Sequence, residues 1–78
     1  MTRSDDEIEA TVRSAIAKTF SLPADGDPRL GQPPWDSLGH MTLVVALEDA
    51  FGITFPTHAI AELTDVPAIV SAVRRWSA

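Results

Sequence analysis

The sequence contains no cysteine, which excludes disulfides and thiolate metal sites, so any thiol chemistry needs a thiol brought from outside. Positive charge is scarce: 6 Lys and Arg stand against 11 Asp and Glu, for a formal net charge of -5. That balance repels phosphate backbones, which argues against nucleic acid as a partner and makes basic proteins the expected ones, the plainer alternative being that the negative charge only aids solubility. No apolar run approaches the length of a membrane span. The segment Met1-Thr2-Arg3-Ser4-Asp5-Asp6-Glu7 is polar and acidic where a secretory signal is basic and then apolar. These absences lead to the expectation of a cytoplasmic protein without membrane contact. Strand-period alternation is also lacking; Phe51-Gly52-Ile53-Thr54-Phe55-Pro56 comes closest, but it is short and bracketed by breakers.

What is present suits a small folded unit. Hydrophobic residues make up 45% of 78 residues, enough for one modest core and too little chain for a cleft enclosed on several sides. One domain over residues 1–78, acting as a monomer, is expected. Ser4-Asp5-Asp6-Glu7 has the form of a capping box, and Ile8, Val12, Ala15, Ile16 and Phe20 follow at helical spacing, leaving Asp6, Glu9, Arg13 and Lys18 to face water. This first helix is predicted to end near Thr19 or Phe20. From Ser21 to Trp35, Pro23, Gly26, Pro28, Gly31, Pro33 and Pro34 exclude any regular element. The stretch reads as a long crossover loop, with Leu22, Leu30 and Trp35 available to pin it to the core.

After Pro34 no breaker occurs until Gly52, and Asp36 sits where an N-cap side chain belongs, so a second helix is predicted over about Ser37 to Phe51. Pro56 and Thr57 open a short helical segment, His58 to Leu63. Thr64 or Asp65 then caps a last helix with Pro67 in its first turn and Val66, Ile69, Val70, Val73 and Trp76 as its buried stripe. Arg74 and Arg75 near its end suit the dipole. The fold class is therefore all-α: three main helices and one short one, with the long loop between the first two.

The second helix carries the functional information. A period of 3.6 residues sends His40, Leu43, Val44, Leu47, Ala50 and Phe51 to one face and Leu38, Met41 and Val45 to the other, with Glu48 and Asp49 at its lower end. So small a domain cannot bury both faces. An exposed apolar stripe edged by acids fits a docking surface for a partner with an apolar contact and a basic rim; the plainer alternative is that Met41 and Val45 pack under the long loop. Ser37 has its own plain reading, a serine at a helix start. Asp36 already supplies the cap, however, which leaves the Ser37 hydroxyl free to point outward, where the helix dipole favours an anion.

These residues resemble a known family. Asp36-Ser37-Leu38 followed by Leu43-Val44-Val45-Ala46-Leu47-Glu48-Asp49-Ala50-Phe51 is similar to the prosthetic-group helix of acyl carrier proteins. Ile53-Thr54-Phe55-Pro56 and Leu63-Thr64-Asp65-Val66 continue the similarity at compatible spacing. The resemblance implies an acyl-carrier-like four-helix bundle that is a non-catalytic carrier. It implies 4'-phosphopantetheine, taken from coenzyme A by a phosphopantetheinyl transferase and attached covalently at Ser37, with Asp36 and Leu38 flanking the attachment point. Acyl groups would ride on that arm as thioesters, sheltered between the second helix and its neighbours, and be presented to acyl-loading and acyl-accepting enzymes across Leu38, Met41, Val45, Glu48 and Asp49. Gly39 and Thr42 stand where carriers of fatty-acid synthesis often have acids. Trp35-Asp36-Ser37-Leu38-Gly39-His40 looks more like free-standing carriers of polyketide and other specialised pathways. Pro34-Trp35 replaces the glycine pair frequent in peptidyl carriers, which weakens an aminoacyl or peptidyl carrier reading.

Other classes fit less well. Asp36, Ser37 and His40 are too close together on one helix to form a catalytic triad, His40 belongs to the core face, and no G-x-S-x-G elbow is present. His40 and His58 lack a ligand spacing for a metal. A DNA-reading helix needs basic residues, and the second helix has no Lys or Arg. An unmodified helical interaction module remains the serious alternative.

Overall fold

A computed structural model describes residues 4–77; Met1, Thr2 and Arg3 of the polar N-terminal segment lie outside the described residues. Four helices follow in order: α1, Asp5–Phe20; α2, Ser37–Phe51; the single turn α3, Thr57–Ile60; and α4, Val66–Trp76. Among the described residues there is no strand, only an isolated bridge between Arg29 and Asp65. No helix there is long and apolar enough to cross a membrane.

Each boundary has a local cause. Ser4 Oγ accepts the Glu7 N–H, and Ser21, in the left-handed region at φ 57°, closes α1 with its N–H on Ala17 O. Asp36 and Asp65 cap α2 and α4 by accepting the N–H of Gly39 and Ala68; the capping of α4 thus falls to Asp65, the second of the two residues the sequence offers. Gly52, at φ 66°, ends α2, where a residue with a Cβ would be strained. The short helix is shorter and earlier than the predicted His58–Leu63, because Pro56 supplies its N-cap position and the chain turns at Ala61.

The core joins one stripe from each helix: Ile8, Val12 and Ile16 of α1, Leu43, Val44 and Leu47 of α2, Ala59 of α3, and Val66, Ile69 and Val73 of α4, with Trp35, Phe55 and Leu63 from the connections. α1 packs against both α2 and α4. Some placements differ from the sequence expectation. Ala50 is exposed, since a residue at the margin of a helical stripe has too small a side chain to reach the core. Val70 and Trp76 are only partly buried, and Ala72 takes a buried position on α4 instead.

Arg13 is another. Expected in water, it is half-buried, and its Nη1 donates to the carbonyls of Ala24 (3.2 Å) and Gly26 (2.6 Å) while Nε bonds Glu9 Oε2 at 2.9 Å. A guanidinium carries enough donors to satisfy several loop carbonyls at once. The first half of the long loop is thus clamped to α1. Its second half is tied to the α3–α4 connection by Leu30 N–H on Thr64 O at 2.9 Å. Leu22 and Leu30 pack against the core, and Trp35 is fully buried. This anchoring delivers the loop to the start of α2.

Candidate functional site

The first turn of α2 is built by two competing demands. Asp36 Oδ1 accepts the Gly39 N–H and Asp36 O accepts the His40 N–H, each at 2.8 Å. That leaves the N–H groups of Ser37 and Leu38 as the helix-start donors without an acceptor in the helix. Ser37 is exposed, and its Oγ bonds no group among the described residues. The hydroxyl therefore stands at the positive end of the helix dipole, free to be esterified, and an anion carried on it would meet the two unpaired N–H groups. Asp36 is exposed beside it, the one like charge such an anion would have for a neighbour in this turn.

Beneath that turn lies an aromatic stack that the sequence reading did not foresee. The rings of Phe20 and Trp35 stack with centroids 5.6 Å apart, and those of Trp35 and His40 at 6.0 Å. Trp35 Nε1 donates to His40 Nδ1 at 3.0 Å, and His40 Nε2 lies 2.9 Å from Ile60 O. An indole N–H can only donate, so Nδ1 accepts and the proton sits on Nε2, which donates to the Ile60 carbonyl. His40 is thus a structural core histidine, 6% exposed, that joins the loop, α2 and α3. Both of its ring nitrogens are committed, which takes it out of any triad or metal site. Among the described residues no group of three or more His, Cys, Asp or Glu could hold a metal ion.

Gly39 completes the arrangement. A Cβ there would run into the Phe20 ring and lie 3.1 Å from Asp36 Oδ1. The glycine is a packing requirement of this first turn, and an acidic side chain at the position has no room.

On the outward face of α2, Leu38 is 81%, Met41 50% and Val45 55% exposed. The packing of Met41 and Val45 under the loop is therefore not what this fold adopts. Asp49 is exposed as well. Glu48 departs from its expected place on this face: it is half-buried, and its Oε2 accepts the Phe55 N–H at 2.9 Å. One carboxylate expected to face a partner instead holds the turn after α2. Next to Ser37 opens a groove of about 450 Å³, walled by loop residues Leu30, Gly31, Pro33 and Pro34. The helical interior is filled by side chains: Val12, Leu43, Leu47, Leu63 and Ile69 are each 0% exposed.

With that geometry in view, comparison with protein families matches residues 35–73 to the phosphopantetheine attachment site model. The match spans half of the 78-residue chain. It begins at Trp35 and takes in the whole of α2, α3 and most of α4. The chain belongs to this family. It is a carrier protein whose cofactor is 4'-phosphopantetheine, bound covalently, of the kind that phosphopantetheinyl transferases modify and biosynthetic enzymes serve. No curated protein and no solved structure matches the chain.

Proposed function

We propose that Ser37 carries the phosphopantetheine arm, with Asp36 and Leu38 flanking the attachment, and that the chain is an acyl carrier protein of polyketide or other specialised biosynthesis. The observation that carries this reading is the Ser37 hydroxyl, exposed and without a hydrogen-bond partner on the first turn of a helix capped by its neighbour. The arm supplies a terminal thiol on which an acyl group is held as a thioester. The protein's own residues do the rest. The Ser37 and Leu38 N–H groups favour the phosphodiester charge, the Asp36 cap frees the hydroxyl, and the stack of Phe20, Trp35 and His40 keeps the turn rigid while partner enzymes handle the cargo.

Partners meet this carrier on the outward face of α2. Leu38, Met41 and Val45 form its apolar part, Asp49 its exposed acid, and Glu48 the residue that shapes its lower end. The net charge of -5 favours enzymes whose contact surfaces are basic. Packing of α1 on α2 and α4 supports a single carrier domain that extends over residues 1–78, beyond the stretch matched by the family model. An acyl cargo and a specialised pathway are supported by Trp35-Asp36-Ser37-Leu38-Gly39-His40, by the lack of a glycine pair before the serine, and by Gly39 and Thr42 in place of acids. Coenzyme A is an intracellular donor, which places loading in the cytoplasm.

Incubation with coenzyme A and a broad-specificity phosphopantetheinyl transferase, read by intact mass, tests the assignment. The wild type is expected to gain the mass of one phosphopantetheine and Ser37→Ala none. An equal gain in the variant would move the site elsewhere.

A further inference from the structure

The groove beside Ser37 is walled by the loop. Its walls, Leu30, Gly31, Pro33 and Pro34, end at Asp36 and Ser37. A second depression of about 240 Å³, lined by Leu22, Pro28, Arg29 and Gln32, shares Pro33 with the first. Both are lined by residues of the Ser21–Asp36 loop, and taken together they offer a track with one end at Ser37. We propose that this track is the resting berth of the pantetheine arm, so that the arm lies along the loop and not between the helices. The inference rests on Ser37 as the attachment point.

Three observations carry it. Ser37 itself lines the track, so an arm esterified there can enter it without crossing another element. Its volume falls within the range of small-molecule sites, about 300–1,000 Å³. The helical interior, by contrast, is occupied: Leu43, Leu47 and Leu63 are 0% exposed, so an arm entering there must displace close-packed side chains. The chemistry of the walls also suits the arm's groups. One methylene from the phosphate is a carbon bearing two methyl groups, which suits the rings of Pro33 and Pro34; proline has no N–H to leave unpaired under an apolar group. The hydroxyl and amide N–H that follow can donate to Asp36, whose Oδ1 already accepts from Gly39 and whose other oxygen is open. The loop is braced by Arg13 on Ala24 and Gly26 and by Leu30 on Thr64, so the track is held in shape before the arm arrives, which lowers the ordering cost of binding.

The test uses the full ¹⁵N-labelled chain before and after loading with coenzyme A and the transferase, with intact mass recorded on the same sample. Expected are shifts of the Leu30, Gly31 and Gln32 amide peaks on loading, and nuclear Overhauser contacts from the arm's two methyl groups to Pro33 or Pro34 ring protons. In the loaded fraction of P33D, at an exposed position and quantified by intact mass, those methyl contacts should be lost. Complete loading with shifts confined to the neighbours of Ser37, and no methyl contacts in the wild type, overturns the berth and leaves Ser37 as the attachment point intact. Failure to load at all overturns the attachment itself, and the berth with it. Should P33D not fold, the wild-type contacts decide.

Discussion

Replacing Gly39 by alanine sets two physical effects of opposite sign against each other, and the structure says which one wins. Glycine inside a helix costs roughly 0.5–1 kcal/mol relative to alanine, so helix propensity alone makes G39A stabilising. The new Cβ, however, would run into the Phe20 ring and sit 3.1 Å from Asp36 Oδ1. The ring cannot simply swing away, because it stacks on Trp35 with centroids 5.6 Å apart and Trp35 is itself fully buried. Forcing a methyl into a packed site costs about 1–3 kcal/mol. Displacing Asp36 Oδ1 from its 2.8 Å bond to the Gly39 N–H weakens the cap, worth about 1 kcal/mol. The net effect is a loss of about 1–2 kcal/mol. For a domain of this size that is a fall in Tm of roughly 4–16 °C, measurable by thermal or urea unfolding followed by circular dichroism. A double variant serves as the control. Combined with Phe20→Ala, which removes the obstructing ring, G39A should change sign and become neutral or stabilising by up to about 1 kcal/mol. A G39A protein that melts above the wild type in the native background would show that Phe20 does not cover this turn.

Three further perturbations test other parts of the account. H40L keeps the volume of the side chain roughly but leaves the Trp35 N–H buried without a partner, while the half-buried Ile60 carbonyl keeps only the Leu63 N–H at 3.3 Å; one such orphan costs about 1–3 kcal/mol in urea unfolding, and wild-type stability would mean the bonds of His40 carry no weight. L47A, at a fully buried position, should lose about 2–5 kcal/mol, whereas a negligible loss would mean that the faces of α2 are reversed. M41D and V45D, on the exposed face, should retain wild-type helix content and slow phosphopantetheinyl transfer several-fold by raising the KM for the carrier; unchanged transfer kinetics in both would show that enzymes dock elsewhere.

The helical frame was readable from local signals, because those signals are themselves local. Pro33-Pro34 and Gly52 bracket α2, and the observed Ser37–Phe51 coincides with the expected span. The Ser4 and Asp36 caps and the exposure of Leu38, Met41 and Val45 follow from spacing along one helix. What spacing could not convey is contact between residues distant in the chain. The bond between His40 and Ile60, the clamp of Arg13 on Ala24 and Gly26, and Phe20 over Gly39 depend on how α1, the loop and α3 come together. Glu48 and Arg13 misled for one reason: a charge marks a position as outward by default, yet a long side chain can bury its stem and spend its head on backbone groups nearby. For Arg13 a hint was available, since a loop of this length needs an anchor. In the first turn of α2, Ser37 and Asp36 were legible as a pair because a capped helix start has few positions. The stack beneath them was not, although Trp35 next to two prolines already implied a ring that must be buried.

The central claim is that the exposed hydroxyl of Ser37, among the serines at 4, 14, 21, 37, 71 and 77, is the one to which the arm is joined. Fragmentation mass spectrometry of the loaded protein tests it directly. The account predicts that the phosphopantetheine mass travels with fragments containing Ser37 and with no others. Its appearance on a fragment lacking that residue would contradict the account.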